Sequence, residues 1–388
     1  MLFTVVRGGE IYDPKPVGKG DLLIASDKIA RIGNVDIEAL QRCGFDVDVI
    51  NAEDCIVTPG FIDPHEHLLG GSGEKGWSSQ TPEISLSEIV SGGVTTVVGC
   101  LGTDTTTKTM AGLLAKAKAF NEEGLTAYIY SGGYNVPPVT LTGSVRTDML
   151  FVQEVIGAGE IAISDARSTE PTDGELARLV RDAYVGGLLT GKSGVSHFHV
   201  GSGKKRLQSL RHLLDEYEIE PSSLYPTHTD RSEELMLEAI ELSQRGVTVD
   251  IDTVDGELPR WMSFDLDRGG DPSHVTVSSD AAINSPRAVW SQIRSCVLQH
   301  GIPFEILLPV VTSNTASVLK LSCKGHLRQG ASADLVVLRK ESLEITEVMS
   351  RGRRFVRDGQ LAFQEKFLEG SNREIELHGN PSSEQRAN

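Results

Sequence analysis

Six residues able to hold a cation are spread along this chain. His65 and His67 lie one residue apart in TPGFIDPHEHLLGGSGE (58–74), and Glu160, His199, His228 and Asp280 follow. In an extended strand residues i and i+2 project from the same face, so His65 and His67 present paired imidazoles suited to one divalent ion. Asp63 precedes them on that face and is placed to orient the pair. Two polar histidines in a surface loop are the competing reading of a bare HxH. The company the motif keeps argues against it.

The other candidates sit at the edges of β-rich runs. His199 closes SHFHV, His228 closes LYPTH with Arg231 three residues on, and Asp280 closes VTVSSD. Glu160 opens EIAISD, with Arg167 shortly after it. Any one of these alone reads equally well as a core His bonded to a carbonyl or an Asp capping a helix. Their recurrence at successive strand ends is hard to attribute to packing. Imidazoles and carboxylates in this mix suit Zn²⁺ or a similar ion, or two ions bridged by a carboxylate. Such a pair lowers the pKa of water and polarises a carbonyl. Asp280, with no basic residue near it in sequence, is suited to take the water's proton and return it to a leaving amine. No GxSxG elbow or Walker loop competes for the active site. Cys100 lacks an evident partner and reads as a core thiol.

The elements that must position these groups alternate. Short β-rich runs at 95–99, 127–130, 160–165, 196–200, 224–228, 247–252 and 275–280 are separated by helical patterns at 105–124, 173–190, 203–217, 231–245 and 286–300. Such alternation implies parallel strands with right-handed crossovers. The expected fold class is α/β, a (β/α)₈ TIM-like barrel over residues 58–319. In such a barrel functional groups gather at the C-terminal ends of the strands, where the candidates fall. An open doubly wound sheet is the weaker alternative, because no GxGxxG turn follows the first strand. Residues 1–57 and 320–370 read as short strands and turns that together form a small β-sandwich from the N- and C-terminal segments. Residues 371–388 read as a polar tail.

Composition narrows the partners. A chain of 388 residues has room for one large domain and a minor one. The net charge of −17 disfavours nucleic acid, whose phosphates call for clustered Lys and Arg. The cluster Arg351, Arg353 and Arg354 reads as a solvated strand edge. There is no apolar run of membrane-spanning length, and the N-terminal residues lack the pattern of a signal peptide. Five cysteines without CxxC spacing point to a reducing, cytoplasmic location.

PGFIDPHEH, the barrel pattern and the closing GHLRQGASADLVVL resemble the amidohydrolase superfamily over nearly the whole chain. More closely, GFIDPHEHLLGGSGE, GTDTTTKT, SGGYNVPPVTLTGSV, AISDARS, HFHVGSGK and PTHTDR resemble the isoaspartyl (β-aspartyl) dipeptidases. The resemblance implies hydrolysis of the β-aspartyl amide bond of isoaspartyl dipeptides by metal-activated hydroxide, in a homo-oligomer. It assigns His65 and His67 to one metal, His199 and His228 to the other, and Asp280 to a dual role as ligand and proton shuttle. Glu74 would meet the substrate α-amino group, Arg167 and Arg231 its α-carboxylate with Thr103 nearby, and Tyr134 the scissile carbonyl.

Two positions depart from the family pattern. The bridge is usually a carboxylated lysine, and Glu160 stands in its place. Glutamate is three atoms shorter, so bridging requires backbone or metals to move inward by roughly 3–4 Å. Gly157-Ala158-Gly159 is placed to supply a bulge that allows it. After Asp280 the family's Gly- and Ser-bearing loop becomes Ala281-Ala282-Ile283-Asn284, with Asn284 or Ser285 as candidate replacements for the missing hydroxyl. Another amidohydrolase acting on N-acyl amino acids or cyclic amides is the nearest alternative. A non-catalytic scaffold with an altered metal site is the alternative of another class.

Overall fold

The computed structural model describes residues 3–71 and 73–372; of the polar tail, the residues from 373 on lie outside the described part. Seventeen strands are present among the described residues. From the N-terminus they are β1 (Phe3–Asp13), β2 (Lys15–Ala25), β3 (Lys28–Gly33), β4 (Val47–Asn51) and β5 (Cys55–Pro59). The central set is β6 (Phe61–Glu66), β7 (Val94–Gly99), β8 (Thr126–Ser131), β9 (Val155–Ile163), β10 (Val195–Val200), β11 (Leu224–Thr227), β12 (Val249–Asp252) and β13 (Val275–Ser278). The last are β14 (Leu335–Arg339), β15 (Ile345–Ser350), β16 (Arg353–Arg357) and β17 (Gln360–Leu361).

β6 to β11 form a continuous parallel sheet and β12 pairs with β13 in parallel. β11 lies against β12 and β13 against β6, which closes the eight strands into a (β/α)₈ barrel. Both faces of each strand are buried, so alternate residues divide between two cores. Phe61, Val97, Ile129, Val155, Phe198 and Leu224 pack with the surrounding helices. Ile62, Val98, Tyr130, Ile156, Val195 and Tyr225 pack with one another and with Leu319. That second set is the apolar floor on which the polar ends of the strands stand.

The outer helices at Met110–Glu123, Asp173–Thr190, Glu233–Gln244 and Arg287–Leu298 fall within or on the sequence-derived ranges. Helices at Val145–Phe151, Leu258–Asp267, Phe304–Val310 and Ser313–Val318 carry weaker signals. Pro259 at the first turn and Pro309 inside a helix obscure two of them.

β1–β5 and β14–β17 make a nine-stranded sheet in which β14 joins the halves by pairing antiparallel with β5. Its core includes Val6, Ile24, Ile50, Val57, Leu335 and Met349. The arginine cluster is largely exposed, as read from the sequence, but its side chains are also engaged. Arg351 and Arg353 donate to Asn121 O and Glu123 O at the C-terminal end of the helix Met110–Glu123, where a cation meets unsatisfied carbonyls. Arg354 is paired with Glu347 and Asp48. The Arg351 and Arg353 contacts tie the sheet to the barrel, and the Arg354 pairs lie within the sheet.

Lys324 makes a second, buried tie. Its ammonium pairs with Asp334 and donates to Thr126 Oγ1 at 2.6 Å, at the start of β8. Both side chains are under a tenth exposed, so removing the lysine alone strands a buried carboxylate. Lys324→Ala is expected to lower stability by about 3–5 kcal/mol, and Lys324→Met with Asp334→Leu to recover most of that loss, as read by denaturant unfolding.

Candidate metal centre and substrate cavity

The C-terminal ends of the barrel strands bring all six cation-competent residues together. Glu160 is fully buried in the middle of β9 rather than at a strand start, and its two oxygens face different imidazole pairs. Oε2 lies 3.3 Å from His65 Nε2 and 3.6 Å from His67 Nε2. Oε1 lies 2.6 Å from His199 Nδ1 and 3.3 Å from His228 Nε2. Asp280 Oδ1 completes the group at 3.1 Å from His67 Nε2 and 3.4 Å from His65 Nε2. Among the described residues, neither ring nitrogen of His65, nor Glu160 Oε2, has a hydrogen-bond partner. Buried, unpartnered N and O ligands converging within a few ångströms fit one or two divalent ions of the zinc type.

Local backbone makes this convergence possible. β9 carries one extra residue against Ser196–Phe198 of β10 and another against Ile129–Tyr130 of β8. These bulges re-aim Glu160 into the barrel. Gly157 and Gly159 allow β9 to press against β10: a Cβ at Gly159 would meet His197 Cβ at 2.8 Å, and one at Gly157 would meet Val195 O at 2.4 Å. His228 and Asp280 follow their strands in the left-handed region, with φ of 60° and 48°, a conformation retained at sites that need a particular side-chain direction. Beneath the centre, His197 stacks on Tyr130 at 5.0 Å, packs tilted against Tyr225 at 4.9 Å and meets His65 edge to face.

The charges compensate one another. Burial would raise the Glu160 carboxyl, but His65, His199 and His228 outweigh it and hold it well below the usual carboxylate range. Asp280, half-buried with its side chain 23% exposed, is likewise held low by His65, His67 and His228. Burial disfavours imidazolium, yet Cys100, Glu160 and Asp280 keep His65 well above its ordinary value. His228, burial notwithstanding, is pushed up to about 9 by its contacts with Asp252 and Glu160.

Above the centre opens a cavity of about 480 Å³, lined by His67, Tyr134, His199 and Asp280 below and by charged groups at the mouth. Arg167 NH1 and Glu74 Oε1 form an ion pair at 2.6 Å, and Thr103 Oγ1 donates to the same oxygen at 3.3 Å. Arg231 lines the cavity and has no ion pair among the described residues. Tyr134 OH lies 2.8 Å from His199 Nδ1, and burial raises its pKa well above the usual phenol value, so it keeps its proton.

Four readings from sequence change here. Asp63 bonds the backbone N–H of His65 and Ser279, not an imidazole, and so fixes the strand rather than the rings. Cys100 belongs to the interior apolar cluster, but its Sγ is also 3.7 Å from His67 Nδ1. Asn284 turns away to Thr253 and Ser279, and Ser285 accepts from Arg287 N, leaving Ala282 and Ile283 on the cavity wall. Two carboxylates were missed. Asp252 Oδ2 lies 2.7 Å from His228 Nδ1, and Asp165 binds Arg167 and His199. Asp252 ends VTVDID, a strand-end signal as plain as that of Asp280.

No family model matches the chain. A β-aspartyl dipeptidase from the thermophilic keratin-degrading Fervidobacterium islandicum AW-1 has 38% sequence identity and a TM-score of 0.89, covering 94% of this chain and 100% of its own. A structure of β-aspartyl dipeptidase from that organism in complex with β-Asp-Leu dipeptide gives 37% and 0.88 over the same coverage. An enamidase described as a member of the amidohydrolase superfamily has the same fold at 17% identity and a TM-score of 0.67, covering 92% of this chain and 96% of its own. Among curated relatives, a dihydroorotase of Clostridium acetobutylicum is 31% identical over 169 residues, 42% of this chain and 35% of its own length. The chain thus aligns with about a third of that relative.

A cation held by His228 must displace the proton that this raised imidazole carries at neutral pH. Affinity for a divalent ion is therefore expected to rise between pH 7 and 9, by about tenfold per pH unit for each displaced proton. Chelator competition at stepped pH measures this; a flat profile would remove His228 as a ligand.

Proposed function

The chain belongs to the β-aspartyl dipeptidase family of the amidohydrolase superfamily, and on that premise we propose that it hydrolyses the β-aspartyl amide bond of isoaspartyl dipeptides. The observation that carries this reading is one cavity with an acid–arginine pair at its mouth and the six-residue centre at its floor. His65 and His67 would hold one Zn²⁺ and His199 and His228 a second, with Glu160 between them and Asp280 as a further ligand. When bound, the ions would supply Lewis-acid polarisation of the scissile carbonyl and a water that ionises near neutral pH.

The residues of the chain supply the rest. A β-aspartyl residue keeps a free α-ammonium and a free α-carboxylate. Glu74 and Arg167, paired at 2.6 Å, match those two charges, and substrate replaces each partner with its own group. Arg231 adds a second cation for the carboxylate, and Thr103 steadies Glu74. Asp280, held ionised by its imidazoles, accepts the water's proton and delivers it to the departing amine. Tyr134 keeps its proton and can donate to the carbonyl oxygen as negative charge develops there.

An N-acyl amino acid has no free α-ammonium and would leave Glu74 without a partner, so the alternative amide substrates fit less well. A scaffold has no use for six convergent ligand groups around a buried carboxylate. Metal content and β-Asp-Leu turnover should be measured together. Wild type is expected to hold about two Zn²⁺ per chain and to turn over, and Glu160→Ala to lose both metal and turnover. Tyr134→Phe should keep its zinc and lose about 10²–10³ in kcat. One zinc with turnover indifferent to Glu160→Ala would remove the bridge. Full metal without β-aspartyl cleavage would redirect the search to N-acyl amino acids and cyclic amides.

A further inference from the structure

The loop after β9 places one buried carboxylate between the two halves of the site. Asp165 Oδ1 accepts from Arg167 N and Nε, each at 2.8 Å. Asp165 Oδ2 accepts from Arg167 NH2 at 2.8 Å and lies 3.1 Å from His199 Nε2. Its side chain is 8% exposed, against 32% for Arg167.

We infer that Asp165 is a positioning residue that ties the substrate-binding Arg167 to the metal-ligand candidate His199, so that recognition and cation binding share one carboxylate. The inference rests on the dipeptidase reading for the role of Arg167. His199 turns Nδ1 toward Glu160, which leaves Nε2 as the nitrogen that carries the proton when Nδ1 holds a cation. Arginine only donates, and the Tyr134 hydroxyl lies 3.4 Å from Nε2 but 2.8 Å from Nδ1, so Asp165 at 3.1 Å is the nearest acceptor for that proton's hydrogen bond. Asp165 therefore fixes the tautomer that aims the Nδ1 lone pair at the centre. The same carboxylate occupies Nε and NH2 of Arg167 and leaves NH1 to reach into the cavity, where it now meets Glu74.

The neighbouring loop gives Asp165 no slack. A Cβ at Gly201 would meet Asp165 Cβ at 2.4 Å and Oδ2 at 2.5 Å, so the chain after β10 closes directly over the carboxylate. Gly203 N donates to Ser164 O at 2.7 Å and holds that closure. Asp252 provides the contrast: it meets His228 Nδ1 and its own loop at Val254 N, and contacts no group assigned to substrate.

The test compares Asp165→Asn with Asp252→Asn, reading zinc dissociation by chelator competition and steady-state β-Asp-Leu hydrolysis at saturating zinc. Both are expected to raise the zinc Kd by about 10–100-fold. Only Asp165→Asn is expected also to raise KM, by about tenfold, because it alone releases Arg167. Unchanged zinc retention in Asp165→Asn, or an unchanged KM with zinc saturating, overturns the inference. Should Asp165→Asn not fold, Arg167→Met decides: it unpins Asp165 from the other end and is expected to weaken zinc binding although Arg167 is no ligand, and an unaltered zinc Kd overturns the tie. If wild type retains zinc but does not cleave β-Asp-Leu, the dipeptidase reading fails by itself and the two zinc comparisons decide the inference.

Discussion

The site depends on one buried carboxylate that faces two ways. Glu160 sits fully inside the barrel, where a lone charge would be costly, and each of its oxygens is met by a different pair of imidazoles. That requirement reaches well beyond the residue itself. A glutamate side chain is short, so the strand must come to the centre, and β9 does so with bulges against both neighbours. The bulges need Gly157 and Gly159, because any Cβ there would collide with β10. The aromatic floor of Tyr130, His197 and Tyr225 then keeps the region below the carboxylate filled.

Electrostatics divide the site into two levels. At the floor, carboxylates held low and imidazoles held high balance one another in the dry interior. At the mouth, Glu74 and Arg167 are 47% and 32% exposed, so their pairing is weakened by water and easily exchanged. The division suits the two tasks proposed for the site: a fixed field for bond cleavage, and replaceable charges for the entry and exit of a zwitterion.

Much of this was legible in the chain. HxH and the strand-end placement of His199, His228 and Asp280 follow from period-two alternation and parallel-barrel geometry, which are local and regular. The bulge was legible too, because Gly-Ala-Gly before a short side chain poses a distance problem with few solutions. What escaped depends on tertiary approach. Asp165 and Asp252 act through imidazoles more than twenty residues away in sequence. Arg351 and Arg353 find their partners on a helix end 230 residues earlier, so composition alone showed their exposure but not these partners. Asn284 looked like a replacement for a hydroxyl, but its amide is spent on Thr253 and Ser279.

The two levels are not independent, because the loops that carry the proposed recognition groups grow from the strands that carry the ligand candidates. Arg167 lies seven residues after Glu160 on the same β9 exit, and Arg231 lies three after His228. A shift of either strand therefore moves a ligand candidate and a recognition group together. Asp165 tightens that relation by touching both levels directly, and the closure of Gly201 over it removes the freedom to serve one and not the other. In a site whose catalytic groups must be held to within about half an ångström, such sharing lets one set of backbone constraints position both functions. It also means that the wall at Ala282 and Ile283, which touches neither carboxylate by hydrogen bond, is where the cavity can change shape without disturbing the centre.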